Sequence, residues 1–358
     1  AIDYSIDDIT AGYEHTSNNI TSDATSPDGA SYQNKTVQFV NEASGDFHLA
    51  ATDTAARDAG ADLSTDLTLA FSADIDGGLR PFNSQWDIGA DEYGSTTVTQ
   101  IYRSVGPGST SALTSSGTLT ITGNIATFGG AMPTNVGVGD VIEYDYNNSG
   151  SVNKLAFIMG RVQSTVYIVQ SLTGSVPAST TATDLDWACY RAYTSLANAE
   201  GGTENTGCSV FGSLISDLHS GGGVDLVAGN YQWNIACYGD AVDTTYVEVS
   251  GWTTSSQSHI NIFTPHTVEQ VGKSQRHDGT VKTGYSLQST DWYQLSIYVR
   301  HITVEGLVVL ASNTNVRRNI VVATNSNEEI DIHIRKNIVA RDVPGSDGSD
   351  IFGIRIEE

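Results

Sequence analysis

From Tyr246 onward the chain is a succession of short β-branched runs set between polar turns: Tyr246–Val249, Ile260–Phe263, Ile297–Val304, Gly306–Leu310, Val316–Val322, Ile330–Ile334, Ile338–Val339 and Ile351–Ile356. β-branched side chains suit a pleated surface and are stiff in a helix, so these runs are expected as strands. Three phrases line up as a weak, unevenly spaced repeat: Val304-Glu305-Gly306-Leu307-Val308-Val309, Arg317-Arg318-Asn319-Ile320-Val321-Val322 and Arg335-Lys336-Asn337-Ile338-Val339-Ala340. Repetition of short strands points to a solenoid, in which each coil covers the next. Asn319 and Asn337 occupy the same place in that alignment, a turn where stacked side-chain amides would bond along the solenoid axis.

Upstream, residues 99–184 show period-2 strands in GTLTITG (Leu119 and Ile121), Val141–Tyr146, Leu155–Met159 and Val166–Val169, with breakers such as Gly106-Pro107-Gly108 and Asn147-Asn148-Ser149-Gly150 between them. That spacing predicts a small antiparallel β-subdomain. Two short amphipathic helices are expected next. Cys189, Ala192, Tyr193, Leu196 and Ala199 recur at helical spacing before Gly201-Gly202, and Val210, Phe211, Leu214, Ile215 and Leu218 repeat the pattern. Helices there would cap the first coil, whose apolar end an open solenoid must hide. The chain is thus expected to be mainly β, with a linker at residues 95–98, a β-rich subdomain at 99–184, and helical cap plus coils at 185–358.

Composition narrows the function. The net charge of −24, from 17 Lys+Arg against 41 Asp+Glu, disfavours nucleic acid and anionic membrane surfaces. Only 16% of residues are charged and glycine reaches 36, a profile of turn-rich extracellular β-proteins. No apolar run is long enough to span a membrane. The chain begins at Ala1 without methionine or a signal peptide, which fits either a processed, exported product or a piece cut from a longer chain. Cys189, Cys208 and Cys237 are too few for a disulfide scaffold. One bridge, Cys189 to Cys208, and three small buried hydrophobes are the open alternatives.

The segment Phe71–Tyr93, FSADIDGGLRPFNSQWDIGADEY, together with Asp46–Asp62, DFHLAATDTAARDAGAD, resembles the closing segment of secreted bacterial right-handed parallel β-helix proteins of the pectate-lyase-like, choice-of-anchor group. In that family such a phrase comes last, after the coils it seals. Here it stands near the start, and with the tract Asn18–Pro27 the resemblance covers nearly all of residues 1–94. The order is permuted, and the strand run at Ile351–Ile356 has no closing segment after it. The resemblance therefore implies a right-handed parallel β-helix whose N-terminal segment seals either its own far end or the open end of a neighbour. A heterologous contact of the second kind that does not close makes a filament. The expected partner is the protein itself, joined head to tail through residues 1–94 and the C-terminal coil in an extracellular structural fibre. A carbohydrate-active or carbohydrate-binding β-helix is the alternative by analogy of fold alone, and a phage or adhesin fibre is a third.

Candidate chemistry is sparse. Asp74, Asp76, Asp87 and Asp91 could supply oxygen ligands to Ca²⁺, although the spacing is not that of an EF-hand loop. The competing reading pairs these carboxylates with Arg80 and with turn amides. No other cofactor is implied. Lyases on the resembled fold abstract a proton with Lys or Arg, and the best basic–acidic cluster is Arg276-His277-Asp278, with a basic stripe of Arg317, Arg318, Arg335 and Lys336 on later coils. Trp233, Trp252, Trp292 and Tyr293 lie near turns, where flat rings stack on sugars if exposed and fill the core if buried. No Ser-His-Asp order, P-loop, Cys-x-x-Cys or His-Glu-x-x-His motif is present.

Overall fold

The computed structural model describes residues 19–26, 29–63, 74–76, 78, 80, 85–94, 98–219, 223–311, 318–323, 330–341 and 352–357. Much of the motif at Phe71–Tyr93, the linker residues 95–97 and Arg317 lie outside them. The chain forms two compact units, Ala1–Val98 and Thr99–Glu358.

The first unit holds one hairpin, β1 (Phe39–Asn41) and β2 (Asp46–Leu49), closed by Gly45 in the left-handed region at φ 79°. Its other described residues form turns tied by carboxylates. Asp53 accepts from the backbone amides of Gln38 at 2.7 Å and Ala56 at 2.8 Å. Leu49, Ala56 and Trp86 are buried, while Phe47, Val40 and Ile75 are exposed.

The second unit is mainly β. It opens with β3 (Thr99–Val105) and then inserts an antiparallel sheet of β4 (Leu119–Thr122), β5 (Ile125–Phe128), β6 (Val141–Tyr144), β7 (Lys154–Gln163), β8 (Val166–Gln170) and β9 (Ala188–Tyr190), in the order β4-β5-β8-β7-β6-β9. This sheet has its own core, including Leu119, Ile121, Phe128, Ile142, Ile158, Tyr167 and Trp187. Two short helices follow, α1 (Leu196–Gly201) and α2 (Leu226–Gly229), capped by Ser195 and Asp225.

Twelve strands complete the unit: β10 (Tyr231–Cys237), β11 (Val242–Asp243), β12 (Val247–Val249), β13 (Ile260–Phe263), β14 (Ser286–Leu287), β15 (Tyr293–Ile297), β16 (His301–Glu305), β17 (Val308–Ala311), β18 (Arg318–Ala323), β19 (Asp331–Arg335), β20 (Ile338–Arg341) and β21 (Phe352–Glu357). They are dealt in rotation to three parallel sheets, β3-β10-β13-β16-β19, β11-β14-β17-β20 and β12-β15-β18-β21. Each circuit of the chain adds one strand to every sheet, and the register sets like residues in columns. Trp233, Ile260, Ile302 and Ile332 form one column, and Ile235, Ile262, Val304 and Ile334 the next. Alternate residues point into a shared core, which is why the runs are β-branched and short.

Several expectations are corrected here. β3 belongs to the first parallel sheet, and the antiparallel sheet expected within residues 99–184 begins after it and extends to β9. The helical periodicity from Cys189 to Ala199 is coincidental: Cys189 lies in strand β9 and packs in the module core, while Ala192, Tyr193, Leu196 and Ala199 pack in the larger core. Only the last turn of that stretch is helix. Val210–Leu218 is turns around a Phe211–Ile215 bridge, with Val210 and Phe211 in the larger core and Leu214 exposed. The repeat is real only in part. Glu305–Val309 and Arg335–Val339 are the same corner in consecutive circuits, but Asn319 sits inside β18 of another sheet. Asn337 bridges the corner alone, its Oδ1 accepting from Leu307 N and its Nδ2 donating to Val304 O, both at 2.8 Å.

Candidate functional site

The two ends of the three-sheet stack are built differently. At the beginning, the outer edge of β3 is covered: Ser104 N donates to Gly139 O, Tyr193 N to Ser104 O and Gly106 N to Tyr193 O, each at 2.9 Å. The core there is plugged by a buried ion pair. Arg103, which takes the column position before Ile235, donates from Nε and Nη2 to Asp217 at 2.7 and 2.5 Å and stacks on Phe157 at 3.7 Å. Asp217 also accepts from Tyr193 Oη at 2.5 Å. Burial pushes the Asp217 carboxyl up, but the Arg103 charge and these hydrogen bonds hold it below the usual range.

The far end carries no such plug among the described residues. Along the third sheet the columns run Val247, Leu295, Ile320, Ile354 and Val249, Ile297, Val322, Ile356. Ile320 and Val322 are 0% and 5% exposed, whereas Ile354 and Ile356 in the next circuit are 45% and 77% exposed. Ile332, Ile334 and Val339 are likewise half-buried where Ile302, Val304 and Val309 are buried.

Beside this end lies a charged corner spanning three circuits. Glu305, at the end of β16, accepts from Arg276 Nη2 at 2.7 Å, Lys336 Nζ at 3.1 Å and Arg335 Nε at 2.7 Å. Arg276 comes from the loop between β13 and β14; Arg335 and Lys336 come from the last circuit. Partial burial raises the Glu305 carboxyl, but the bonds from Lys336, Arg276 and Arg335 outweigh it and leave it lowered. Gly306 (φ 83°) and Lys336 (φ 54°) are the left-handed residues of this corner in consecutive circuits. A Cβ on Gly306 would collide with Thr264 Oγ1 and come within 2.6 Å of Arg276 Nε, so the glycine is what lets Arg276 lie across the turn.

The structure scatters the Arg276-His277-Asp278 cluster. Arg276 faces Glu305, His277 Nε2 meets Lys336 O at 2.8 Å, and Asp278 closes its own loop by accepting from Thr280 and Thr283 hydroxyls. The three do not meet at a point where a substrate atom could sit. The charge that converges here is Glu305, which composition offered no reason to single out.

The acidic quartet divides as well. Asp74 Oδ1 accepts from the amides of Asp76 at 3.0 Å and Gly78 at 2.6 Å, and Asp87 accepts from those of Asp58 and Tyr93 at 2.6 Å. Both are turn-formers, and Arg80 donates to the carbonyls of Asp87 and Gly89. Asp76 and Asp91 instead approach His48, their ligand atoms within 4.8 Å of one another. A histidine nitrogen is foreign to Ca²⁺ and native to zinc-like ions. His48 is already engaged, with Nδ1 and Nε2 each 2.6 Å from Asp46 and Asp76. Those hydrogen bonds, Asp46 first, raise its pKa to about 9, so the group is an imidazolium bridge at neutral pH.

Trp252 is 8% exposed, donates to Glu200 at 3.2 Å and packs on Trp233 and His219 at the sealed end, which removes it as a sugar platform. Trp233 is buried with it. Trp292 is 57% exposed, and Tyr293 stands 6.3 Å from Tyr246 with the Arg318 guanidinium 5.4 Å from its ring. Cys189, Cys208 and Cys237 are all free and buried; Cys189 lies in the module core and the other two in the larger one, so no Cys189–Cys208 bridge forms. Burial pushes all three thiols up. No helix among the described residues is long and apolar enough to cross a membrane.

Comparison of the chain with protein-family models, with curated proteins and with solved structures returns no match.

Proposed function

We propose that Thr99–Glu358 is a right-handed parallel β-helix and that the protein is a structural subunit, or one repeat, of an extracellular head-to-tail fibre. Rotation of successive strands through three parallel sheets supports the β-helix, and parallel crossovers are right-handed in about 98% of cases. The observation that carries the fibre is the loss of burial along the register, from Ile320 and Val322 to Ile354 and Ile356. The sealed edge of β3 rules out simple stacking of one stack's start on another's end, because its strand edge is already spent. The N-terminal unit of the next copy, resembling a closing segment, is the proposed cover for these columns. Its exposed Phe47, Val40 and Ile75 offer apolar surface for that contact. Exposed Trp292 beside Tyr293 favours carbohydrate binding as a second reading.

Negative-stain imaging and light scattering of the chain with and without residues 1–98 test the proposal. Fibres that disappear on truncation are expected; monomers in both samples refute it.

A further inference from the structure

Association of this protein with itself faces a charge problem. Each copy carries a net −24, so two copies repel at long range, and a specific contact needs local attraction to overcome that. The charge is unevenly divided. Residues 1–98 hold 17 Asp+Glu against only Lys35, Arg57 and Arg80, a formal −14, while residues 99–358 hold 24 against 14, a formal −10, over a much longer stretch. The acidic unit needs a basic receiver.

We infer that the corner of Arg276, Arg335 and Lys336 around Glu305 is a docking site for carboxylates of the acidic N-terminal unit of a neighbouring copy. The inference rests on the fibre reading above and names the contact that selects the partner. Three cations share one carboxylate, which leaves a surplus of two positive charges in the corner among the described residues. Arg335 and Lys336 side chains are 58% and 63% exposed and belong to the circuit whose apolar columns are uncovered, so carboxylate contact and apolar cover meet at one rim. Arg335 spends Nε on Glu305 and keeps both Nη amino groups without a partner among the described residues, the planar fork that grips a carboxylate with two hydrogen bonds. The corner is also held in place before any partner arrives. Glu305 tethers all three cations, Asn337 locks the turn to Val304 and Leu307, and His277 holds the Lys336 carbonyl. Preorganised side chains lose little freedom on binding.

The test uses the full chain with Arg335→Glu/Lys336→Glu, its neutral counterpart Arg335→Gln/Lys336→Gln, and Lys154→Glu in the inserted module as a charge control. Critical concentration is read by light scattering, and near-ultraviolet circular dichroism checks the fold. The reversal should raise the critical concentration by roughly tenfold or more, the neutral pair by less, and Lys154→Glu only slightly. The gap in critical concentration between the wild type and the reversal variant should narrow between about 0.1 and 1 M NaCl, since salt screens the corner contact. Fibres of the reversal variant at the wild-type concentration overturn the inference and leave the fibre reading standing. A wild-type chain that never polymerises removes the fibre reading and this contact with it. Corner-dependent capture of polygalacturonate by a chain that stays monomeric assigns the corner to an acidic polysaccharide and likewise overturns the inference.

Discussion

Replacing Ile354 and Ile356 together by serine separates stability from assembly. In the single chain these side chains are 45% and 77% exposed, against 0% and 5% for Ile320 and Val322 one circuit earlier. If a neighbour extends the columns, Ile356 gains about three-quarters of a side chain's burial and Ile354 just under half. Full burial of an isoleucine is worth about 1.5–3 kcal/mol, so the pair contributes about 2–3.5 kcal/mol to the contact. That corresponds to a rise of about 30- to 300-fold in critical concentration for the double variant. It is a lower bound, because two serine hydroxyls then need partners in the interface.

The same double variant should leave the thermal midpoint of the unassembled chain within a few degrees of wild type, since exposed substitutions cost little. Ile320→Ala is the converse control: fully buried, it should cost about 2–5 kcal/mol in denaturant unfolding. Sedimentation across a dilution series reads the first effect and urea titration the second. Unchanged assembly of the serine pair would refute the argument that the open columns are the contact, whatever the fate of Ile320→Ala.

Three further outcomes are expected. His48 should titrate near pH 9 by nuclear magnetic resonance; because its folded pKa lies above the unfolded value of 6.5, its contribution is fully present below about pH 6.5 and is lost as pH rises through about 9, and Asp46→Asn should move the midpoint down. Asp217→Asn leaves Arg103 buried beside a neutral amide and should cost about 3–5 kcal/mol by chemical denaturation, whereas a loss under about 1 kcal/mol would contradict the plug at the sealed end. Cys189, Cys208 and Cys237 should resist a thiol reagent until the chain unfolds, and reductant should not change the folded chain's mobility; rapid labelling of any of them contradicts their burial.

What was legible in the sequence follows the range over which each signal acts. Strands from Tyr246 onward were readable because β-branched runs and polar turns are local, and the corner repeat at Glu305 and Arg335 survived because the same short turn joins the strands on either side of it in both circuits. The phrase at Arg317–Val322 misled because it matches in letters and not in phase: a β-sheet column is defined by register, which letters alone do not fix. The expected helix at Val210–Leu218 failed for a related reason. Val210 and Phe211 are buried in the larger core, but Leu214 at the next helical position is exposed, so the spacing matched a helix without one apolar face behind it. The site was hidden more deeply. Glu305 gathers Arg276 and Arg335 from 29 and 30 residues away, and His48 meets Asp76 across 28, distances at which a single sequence carries no pairing signal.

Exposed apolar columns are also a hazard, and the circuit of β19 to β21 shows how these are restricted. β19 alternates Ile332 and Ile334 with Asp331, His333 and Arg335, so its second face is lined by charge, His333 Nε2 lying 2.7 Å from Asp331. Charged residues on edge strands discourage indiscriminate pairing, because an incoming strand must match the charges or strip them of water. A strand from an arbitrary partner meets both signs of charge beside the columns and gains only part of the apolar contact. A partner that brings carboxylates to Arg335 and Lys336 gains both. In the proposed fibre the apolar columns would supply most of the contact's strength and the charges its choice of partner, so the serine pair should weaken assembly in general while reversal at the corner should alter which surfaces are accepted.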